Sequence, residues 1–235
     1  VDTLIVDEGQ DFRPGWADNL LSFLRPAGRA WWLEDPLQNL YDRPPVALPG
    51  WVGLSADTNY RTPADVLALL NARLPLPAPV RAGSPVTDSE PEIFAWRDEA
   101  GLMDATKRAI TRALGLGFRR DAILLLTFRG REHSRFTPLD HLGPHRLRAF
   151  TGRYDLLGEP EHSQGELLID SVYRFKGQSA PCILFTEIDF ETTGGRMDEL
   201  TMRKLFVGAT RATMKLILVA SERAAAALAP VAEAG

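Results

Sequence analysis

The sequence predicts an α/β fold in which helices flank a mainly parallel sheet. Short apolar runs alternate along the chain with segments of helical spacing, which is the pattern of strand–helix–strand units. One run, residues 122–126, is apolar at every position, as expected for a strand that is buried on both faces. Two other runs end in acidic residues, at Asp7 and at Glu34-Asp35, and ligands of open parallel sheets bind at such strand ends.

The remaining elements follow from periodicity and from turn residues. We expect helices at residues 14–24 and 99–114, a helix that begins at Pro63 with Thr62 as its N-cap, and a helical Ala-rich tail at 224–227. Residues 41–53 and 138–160 are predicted to be irregular, and the proline-rich residues 74–91 to be an insertion or linker. The predicted strands are residues 3–6, 30–33, 92–96, 122–126, 166–172, 182–186 and 216–219, with a helix between the last two.

Composition indicates an ordinary globular protein of 235 residues, 45% hydrophobic and 25% charged. The net charge of -4 means that any nucleic acid is bound through a local patch. We expect Cys182, the single cysteine, to be a buried thiol, and no apolar run reaches the length of a membrane span. A cytoplasmic location is therefore expected. Because a core strand follows Val1 so closely, we also expect the sequence to be part of a longer protein.

Two predicted strands end in side chains suited to a metal ion and a phosphate. Asp7 and Glu8 directly follow the first strand, so Asp7 can bind Mg²⁺ and Glu8 can orient a water molecule for attack on a phosphate. Gln38, after the second strand, can donate a hydrogen bond to a phosphate oxygen. Acids that cap the next helix would explain the first segment equally well, and a lone glutamine at the second would more often be a loop residue in solvent.

Three further segments are suited to an anion. Arg61 precedes the N-terminus of a predicted helix, where backbone N–H groups and a guanidinium attract negative charge. Arg211 stands between a predicted helix and the strand at 216–219, and Gly177 allows a ligand to approach the backbone closely. Taken singly, each is equally compatible with a surface arginine or an ordinary turn.

Taken together, the segments resemble motifs II to VI of superfamily 1 helicases of the UvrD/Rep type. The matching patterns are Asp-Glu-x-Gln-Asp at 7–11, Asp-x-x-Gln-x-x-Tyr at 35–41, Asn-Tyr-Arg-Thr at 59–62, Phe-Lys-Gly at 175–177 and Val-Gly-x-Thr-Arg-Ala at 207–212. Each match is short, but five in the right order along one chain are highly specific. The resemblance implies a RecA-like parallel sheet flanked by helices. Residues 1–55 would be the C-terminal remnant of the first RecA-like domain, and 56–235 the second, called 2A, with the insertion near 74–91.

The resemblance also implies roles for individual residues. In that family two RecA-like domains clamp ATP and Mg²⁺ between them, and ATP hydrolysis drives movement on single-stranded or partly duplex DNA. Asp7 would bind Mg²⁺, Glu8 would activate water, and Gln38 would contact the γ-phosphate. Arg61 and Arg211 would reach the γ-phosphate from the second domain, with Arg211 as the arginine finger and Gly177 near the same phosphate. The residues implied to face DNA are Tyr41, Ser171, Tyr173 and Arg174.

The sequence departs from the family pattern in several respects, among them Glu34 where motif III usually has glycine and Tyr173 where histidine is common. Gln178-Ser179 replaces the usual Leu-Glu of motif V, and the tryptophan that often follows the motif III tyrosine is absent. No Gly-x-x-x-x-Gly-Lys-[Ser/Thr] loop occurs in the chain. We therefore expect a monomeric C-terminal portion of an ATP-dependent DNA helicase that is inactive without the N-terminal RecA-like domain of the same polypeptide. We also expect Arg211→Ala to cost this chain little stability, because the phosphate partner of Arg211 would be absent.

Two other functions are compatible with the same residues. A non-catalytic binding or regulatory module is allowed by the altered motif V, although retention of the five charged and polar site residues disfavours it. A Mg²⁺-dependent nuclease using Asp7, Glu8 and Asp11 is less favoured, because no lysine has a glutamate two residues before it. A basic cluster either contacts a nucleic-acid backbone or is a solvated face; it comprises Arg119, Arg120, Arg129, Arg131 and Arg135.

Overall fold

The computed structural model describes residues 1–194 and 196–229. The chain divides into two compact units, Val1–Ala56 and a second that begins at Asp57. Within the described residues, no helix is long and apolar enough to cross a membrane.

The first unit is a strand–helix–strand arrangement. Strands β1 (Thr3–Val6) and β2 (Arg29–Trp32) pair in parallel, and helix α1 (Pro14–Leu21) lies between them in the chain. The helix ends three residues before the predicted residue 24. The chain tightens there, because the N–H groups of Phe23 and Leu24 each bond to the carbonyl three residues back, at 3.1 and 3.0 Å.

The second unit contains a two-stranded ribbon, an eight-stranded sheet, and helices that connect or follow these strands along the chain. The ribbon pairs β3 (Thr58–Asn59) with β4 (Arg81–Ala82). The sheet strands are β5 (Glu92–Trp96), β6 (Ile123–Thr127), β7 (His141–Leu142), β8 (His145–Tyr154), β9 (Pro160–His162), β10 (Leu167–Ser171), β11 (Ala180–Ile188) and β12 (Ala212–Ser221). The helices are α2 (Ala64–Arg73), α3 (Glu99–Gly115), α4 (Glu199–Ala209) and α5 (Glu222–Leu228).

The sheet is parallel except at one end. Its order is β5-β12-β11-β6-β10-β8-β7, and β9 pairs with β8 outside that path. All pairs from β5 to β8 are parallel, whereas β7 and β9 both run antiparallel to β8. The predicted α/β class with a mainly parallel sheet is confirmed.

The core forms where α3 packs on the central strands. Every residue of β6 is buried, as its uniformly apolar sequence predicts. The apolar face of α3, which includes Leu102, Ala109 and Ile110, joins the same buried cluster as Leu125 and Leu184. Cys182 is also buried, as predicted, and burial raises the pKa of its thiol to about 12.

The prediction of irregular structure at residues 138–160 is wrong. Strands β7 and β8 occupy most of that range, and β9 begins at its end. From His145 to Ala149 the side chains alternate strictly, with His145 and Leu147 buried and Arg146 and Arg148 exposed. Glycines and prolines on either side of this stretch dominated the sequence signal, and its short alternation of exposed arginines with buried residues was overlooked.

The proline-rich residues 74–91 lie against α2 through specific hydrogen bonds. The Asn71 side chain donates to the Val80 carbonyl and accepts the Val80 N–H, both at 2.9 Å. The Asp65 carboxylate accepts the Ser89 N–H at 2.7 Å. These bonds fix both ends of the segment that carries β4.

Candidate functional site

In the first unit, the turn after β1 is formed by Asp7, Glu8 and Gly9. The Asp7 carboxylate accepts the Glu8 N–H at 2.9 Å, and Glu8 adopts a left-handed conformation with φ 54. Such a conformation costs a non-glycine residue about 1 kcal/mol or more and is common at functional turns. A Cβ on Gly9 would lie 2.2 Å from the Trp32 indole nitrogen, so only glycine allows the turn to pack against β2.

Gln10 joins the two acidic strand ends, a role that we did not predict. It is buried, its amide nitrogen donates to the Glu8 carboxylate, and its amide oxygen accepts the Asp35 N–H at 2.9 Å. Gln10 therefore positions Glu8 relative to Asp35. The position of Gln10 in the Asp-Glu-x-Gln-Asp pattern is the sequence feature that could have indicated this role.

Gln38 is joined to the same hydrogen-bond network through Asp35. Its amide nitrogen donates to one Asp35 carboxylate oxygen at 2.8 Å, while the other oxygen accepts the Leu37 N–H at 3.0 Å. Asp35 thus caps the short 3₁₀ turn Pro36–Gln38 and orients the Gln38 side chain. Asp7, Glu8, Gln38 and Tyr41 all belong to the first unit.

In the second unit, the segment 59–62 forms a capped turn ahead of α2. The Asn59 side-chain oxygen accepts the N–H groups of Arg61 and Thr62, both at 2.9 Å. The Arg61 side chain is exposed and forms no hydrogen bond or ion pair with the described residues. It is therefore available to an anion in solution.

The prediction that Thr62 caps the following helix is wrong. Pro63 occupies the N-cap position of α2 and makes no side-chain cap. Thr62 is instead fully buried, and its hydroxyl donates to the Thr210 carbonyl at 3.2 Å. This bond brings the turn that carries Arg61 against the segment that carries Arg211.

Arg211 is enclosed by the main chain of its own unit. Only 3% of its surface is exposed. Its Nε donates to the Val207 carbonyl at 3.1 Å, and one terminal nitrogen donates to the Gln178 carbonyl at 3.3 Å. The guanidinium therefore links the end of α4 to the turn after β10. The expectation that Arg211→Ala costs this chain little stability did not take these partners within the chain into account.

The turn from Ser171 to Gln178 follows β10. Ser171 is buried, and its hydroxyl accepts the Arg174 N–H at 3.3 Å. Gly177 has φ 80, and the adjacent Gln178 N–H bonds to the Phe175 carbonyl at 3.1 Å. The turn therefore requires a residue that tolerates the left-handed region at 177.

Arg174 is held between a buried acid and an aromatic ring. Its Nε lies 3.3 Å from an Asp170 carboxylate oxygen, and its guanidinium carbon lies 3.6 Å from the centre of the Phe150 ring. Burial raises the pKa of Asp170, and the Ser171 N–H and Arg174 partly offset that rise. Tyr173 is half-buried, with the Lys204 ammonium 5.4 Å from its ring centre.

Glu187 is a second residue that the sequence did not single out. Its side chain is fully buried and its backbone is left-handed, with φ 60 at an irregularity of β11. One carboxylate oxygen accepts the Thr127 hydroxyl, and the other accepts the Arg135 N–H at 2.7 Å. Glu187 thereby fixes the loop after β6 at the carboxyl end of the parallel strands.

Most of the predicted basic cluster is paired with acids. Ion pairs join Arg119 to Asp121 at 2.7 Å, Arg120 to Glu166 at 3.3 Å and Arg135 to Glu99 at 3.5 Å. Solvent-exposed pairs of this kind contribute little to stability. They also reduce the local positive charge, which favours the solvated face over a phosphate-binding patch at these three positions.

Comparison with known proteins finds a match to a family model for part of the second unit. Residues 166–219 match the UvrD-like helicase C-terminal domain. Among solved structures, the chain is similar to the C-terminal domain of a possible DNA helicase from Lactobacillus plantarum WCFS1, with 13% identity, a TM-score of 0.49 and coverage of 74% of this chain and 95% of that chain. A search among curated proteins gave no match. The matched range contains Ser171, Gly177 and Arg211.

Proposed function

We propose that this chain is the C-terminal portion of an ATP-dependent DNA helicase or translocase that couples ATP hydrolysis to movement on single-stranded DNA. The family match over residues 166–219 is the observation that best supports the proposal. The hydrogen bond from Arg211 to the Gln178 carbonyl, at 3.3 Å, adds support because it joins two of the sequence motifs.

Asp7 is suited to a Mg²⁺ ion whose other ligands are phosphate oxygens. It is exposed at the end of β1, and among the described residues no three His, Cys, Asp or Glu side chains come together to hold a metal. Magnesium in nucleotide sites typically takes one or two carboxylates and completes its shell with phosphates and water. Bound there, Mg²⁺ would neutralise charge that develops on the phosphates. Glu8, oriented by Gln10, would accept a proton from the attacking water.

Arg61 and Arg211 are the candidates for contact with the γ-phosphate from the second unit. Arg61 is the better placed, since it is exposed beside a helix N-terminus. Arg211 is buried and donates to carbonyls, so its main contribution would be to hold the turn containing Gly177. Gln38, held by Asp35, is the candidate of the first unit for contact with a phosphate.

The burial of Arg211 also favours a second candidate function, a non-catalytic helicase-like module. In that case the arginine would be purely structural and Glu8 would have no role in turnover. The two functions differ in whether a protein that contains both this chain and a phosphate-binding loop hydrolyses ATP.

ATP hydrolysis with the Glu8→Gln variant separates the two. We expect no turnover by the 235-residue chain alone, because it lacks a phosphate-binding loop. A longer protein that supplies this loop should hydrolyse ATP, and Glu8→Gln should reduce its rate by orders of magnitude while ATP still binds. Glu8-dependent hydrolysis by the chain alone would contradict the proposal that turnover needs a phosphate-binding loop that this chain lacks. A longer protein without turnover would favour the non-catalytic module.

A further inference from the structure

A buried hydrogen bond in the second unit joins the turn that carries Arg61 to the segment that carries Arg211. The Thr62 hydroxyl donates to the Thr210 carbonyl at 3.2 Å, across 148 positions of sequence. Thr62 is fully buried and Thr210 is 2% exposed, so water has little access to this bond. A hydrogen bond that water cannot replace is costly to lose. The bond therefore holds the turn against the rest of the unit.

Two common reasons for a threonine in front of a helix do not apply to Thr62. It does not cap α2, because Pro63 is the N-cap residue and makes no side-chain cap. Packing does not require its hydroxyl either, since valine has a similar shape and a hydroxyl buried without a partner costs free energy. The hydrogen bond to the Thr210 carbonyl is therefore what distinguishes threonine from valine at this position.

The acceptor of this bond is itself held in place. The hydroxyl and the N–H of Thr210 both donate to the Phe206 carbonyl of α4, at 2.8 and 3.0 Å. Arg211, the next residue, is buried and donates to the Gln178 carbonyl at 3.3 Å. The Thr210 carbonyl is thus a fixed acceptor on the segment that carries Arg211.

On the donor side of the bond, Arg61 has a well-held main chain and an exposed side chain. The Asn59 side-chain oxygen accepts the N–H groups of Arg61 and Thr62, both at 2.9 Å. These two bonds fix the shape of the turn, because the three residues are close in sequence. The bond from Thr62 to Thr210 fixes the place of the turn relative to Arg211.

We propose that Thr62 is a positioning residue that holds Arg61 at a fixed place relative to Arg211, for contact with the γ-phosphate of ATP. The inference rests on the proposed function, in which Arg61 contacts this phosphate. A misplacement of about 1 Å can reduce the rate of a reaction that depends on positioned groups by about 10²-fold. Loss of the Thr62 hydroxyl should therefore lower turnover far more than nucleotide affinity.

Steady-state ATP hydrolysis by Thr62→Val tests the proposal in a longer protein that supplies the phosphate-binding loop. We expect kcat to fall by about 10- to 100-fold, because Arg61 is no longer held in place. The KM for ATP should change by less than about 3-fold, since the lost contribution belongs to the transition state. Thr62→Ser keeps a hydroxyl donor and should keep kcat close to the wild-type value.

The same substitution in an Arg61→Ala protein separates positioning from a general loss of stability. If Thr62 acts through Arg61, Thr62→Val should cause no further fall in kcat once residue 61 is alanine. A merely structural role would lower kcat by the same factor with and without the Arg61 side chain. Equal factors would overturn the proposal.

Thr106→Val is the matched control. Thr106 is also fully buried in the second unit, and its hydroxyl donates to the Leu102 carbonyl at 2.8 Å within α3. This variant removes a buried threonine hydroxyl whose bond involves neither the turn nor the segment of Arg211. It should leave kcat and KM unchanged.

Hydrogen exchange on the 235-residue chain gives a readout that needs no nucleotide. The Arg61 N–H is bonded to the Asn59 side chain, so its exchange rate reports opening of the turn. Thr62→Val should raise this rate by about 2- to 10-fold, the range that corresponds to the loss of one hydrogen bond. Thr62→Ser should leave it unchanged. An Arg61 rate in Thr62→Val equal to that of the wild type would overturn the proposal.

The outcomes separate the role of Thr62 from the proposed function. If the wild-type longer protein hydrolyses ATP and Thr62→Val hydrolyses it equally fast, the role of Thr62 is refuted while the proposed function stands. If the wild-type longer protein hydrolyses no ATP, the catalytic function is refuted and the role of Thr62 in it is refuted as well. Thr62→Ala removes the same donor and replaces Thr62→Val in each measurement if the valine variant does not fold.

Discussion

At the scale of single residues, Arg211 connects two segments that lie far apart in the sequence. Its donors satisfy the carbonyls of Val207 and Gln178, in surroundings that leave 3% of the residue exposed. A buried carbonyl that loses its donor costs free energy, because water cannot easily replace the bond.

Arg211→Ala should therefore lower the free energy of unfolding of the 235-residue chain by about 1–3 kcal/mol, the cost of losing hydrogen bonds from a charged donor to the Val207 carbonyl and the part-buried Gln178 carbonyl. Chemical denaturation measures the change. Arg61→Ala is the matched control, since the Arg61 side chain is exposed and should alter stability by no more than about 0.5 kcal/mol. Equal stabilities of the two variants would contradict the buried geometry of Arg211.

Asp170 gives a second residue-level prediction, on pH. Burial raises its folded pKa above the ordinary value of 3.8. The native state therefore binds this proton at higher pH than the unfolded chain does. The stability that protonation provides is complete below the unfolded pKa and is lost as the pH rises through the folded pKa.

Asp170→Asn lacks this proton linkage. The unfolding free energy of the variant minus that of the wild type should decrease as the pH falls from neutrality through the raised pKa towards the ordinary value of 3.8. Taking this difference cancels the contribution of other acids, such as Asp189, whose pKa is lowered by Arg223. Urea titrations at several pH values measure it. A difference that stays constant or increases on acidification would contradict the assignment.

At the scale of elements, the close approach of α4 to β11 explains a glycine in the Val-Gly-x-Thr-Arg-Ala pattern. A Cβ on Gly208 would lie 2.2 Å from the Phe185 ring. Phe185 is fully buried and contacts Phe128, with 5.9 Å between ring centres, so it has little room to move. The glycine sets the packing distance between helix and sheet.

Gly208→Ala should accordingly destabilise the chain by about 1–3 kcal/mol, the usual range for overpacking a core. Gly115→Ala is a useful comparison, because that glycine ends α3 and a Cβ there meets nothing within 4 Å. It should be neutral or stabilising by up to about 1 kcal/mol. Thermal unfolding of both variants measures the difference in their stabilities. A Gly208→Ala protein as stable as the wild type would refute the close packing.

The elements that the sequence predicts well are those with one dominant signal. The uniformly apolar residues of β6 and the α3 helix, with the left-handed Gly117 (φ 91) just beyond its end, were predictable for this reason. Strand β8 was missed because its alternation of buried and exposed residues lies among turn residues. The burial of Thr62 was also unpredictable, since its partner, the Thr210 carbonyl, lies 148 residues away in the chain.

At the scale of the whole molecule, the candidate site residues are divided between two compact units. Asp7, Glu8 and Gln38 lie in the first, and Arg61 and Arg211 lie in the second. These residues could be identified from the order of the motifs along the chain, because each motif is a short run of neighbouring residues. Local patterns could not reveal which arginine is exposed, since that depends on long-range contacts such as the one between Arg211 and Gln178.

We propose that the second unit acts on a nucleotide that is held mainly by other parts of the protein. Turnover of Arg61→Ala in a longer protein that supplies the phosphate-binding loop tests it most directly, since Arg61 is exposed and its removal should not disturb folding. We expect the rate of ATP hydrolysis to fall by about 10³-fold, the lower end of the effect of a catalytic arginine, with nucleotide affinity largely retained. Unchanged turnover in the Arg61→Ala protein would contradict the claim.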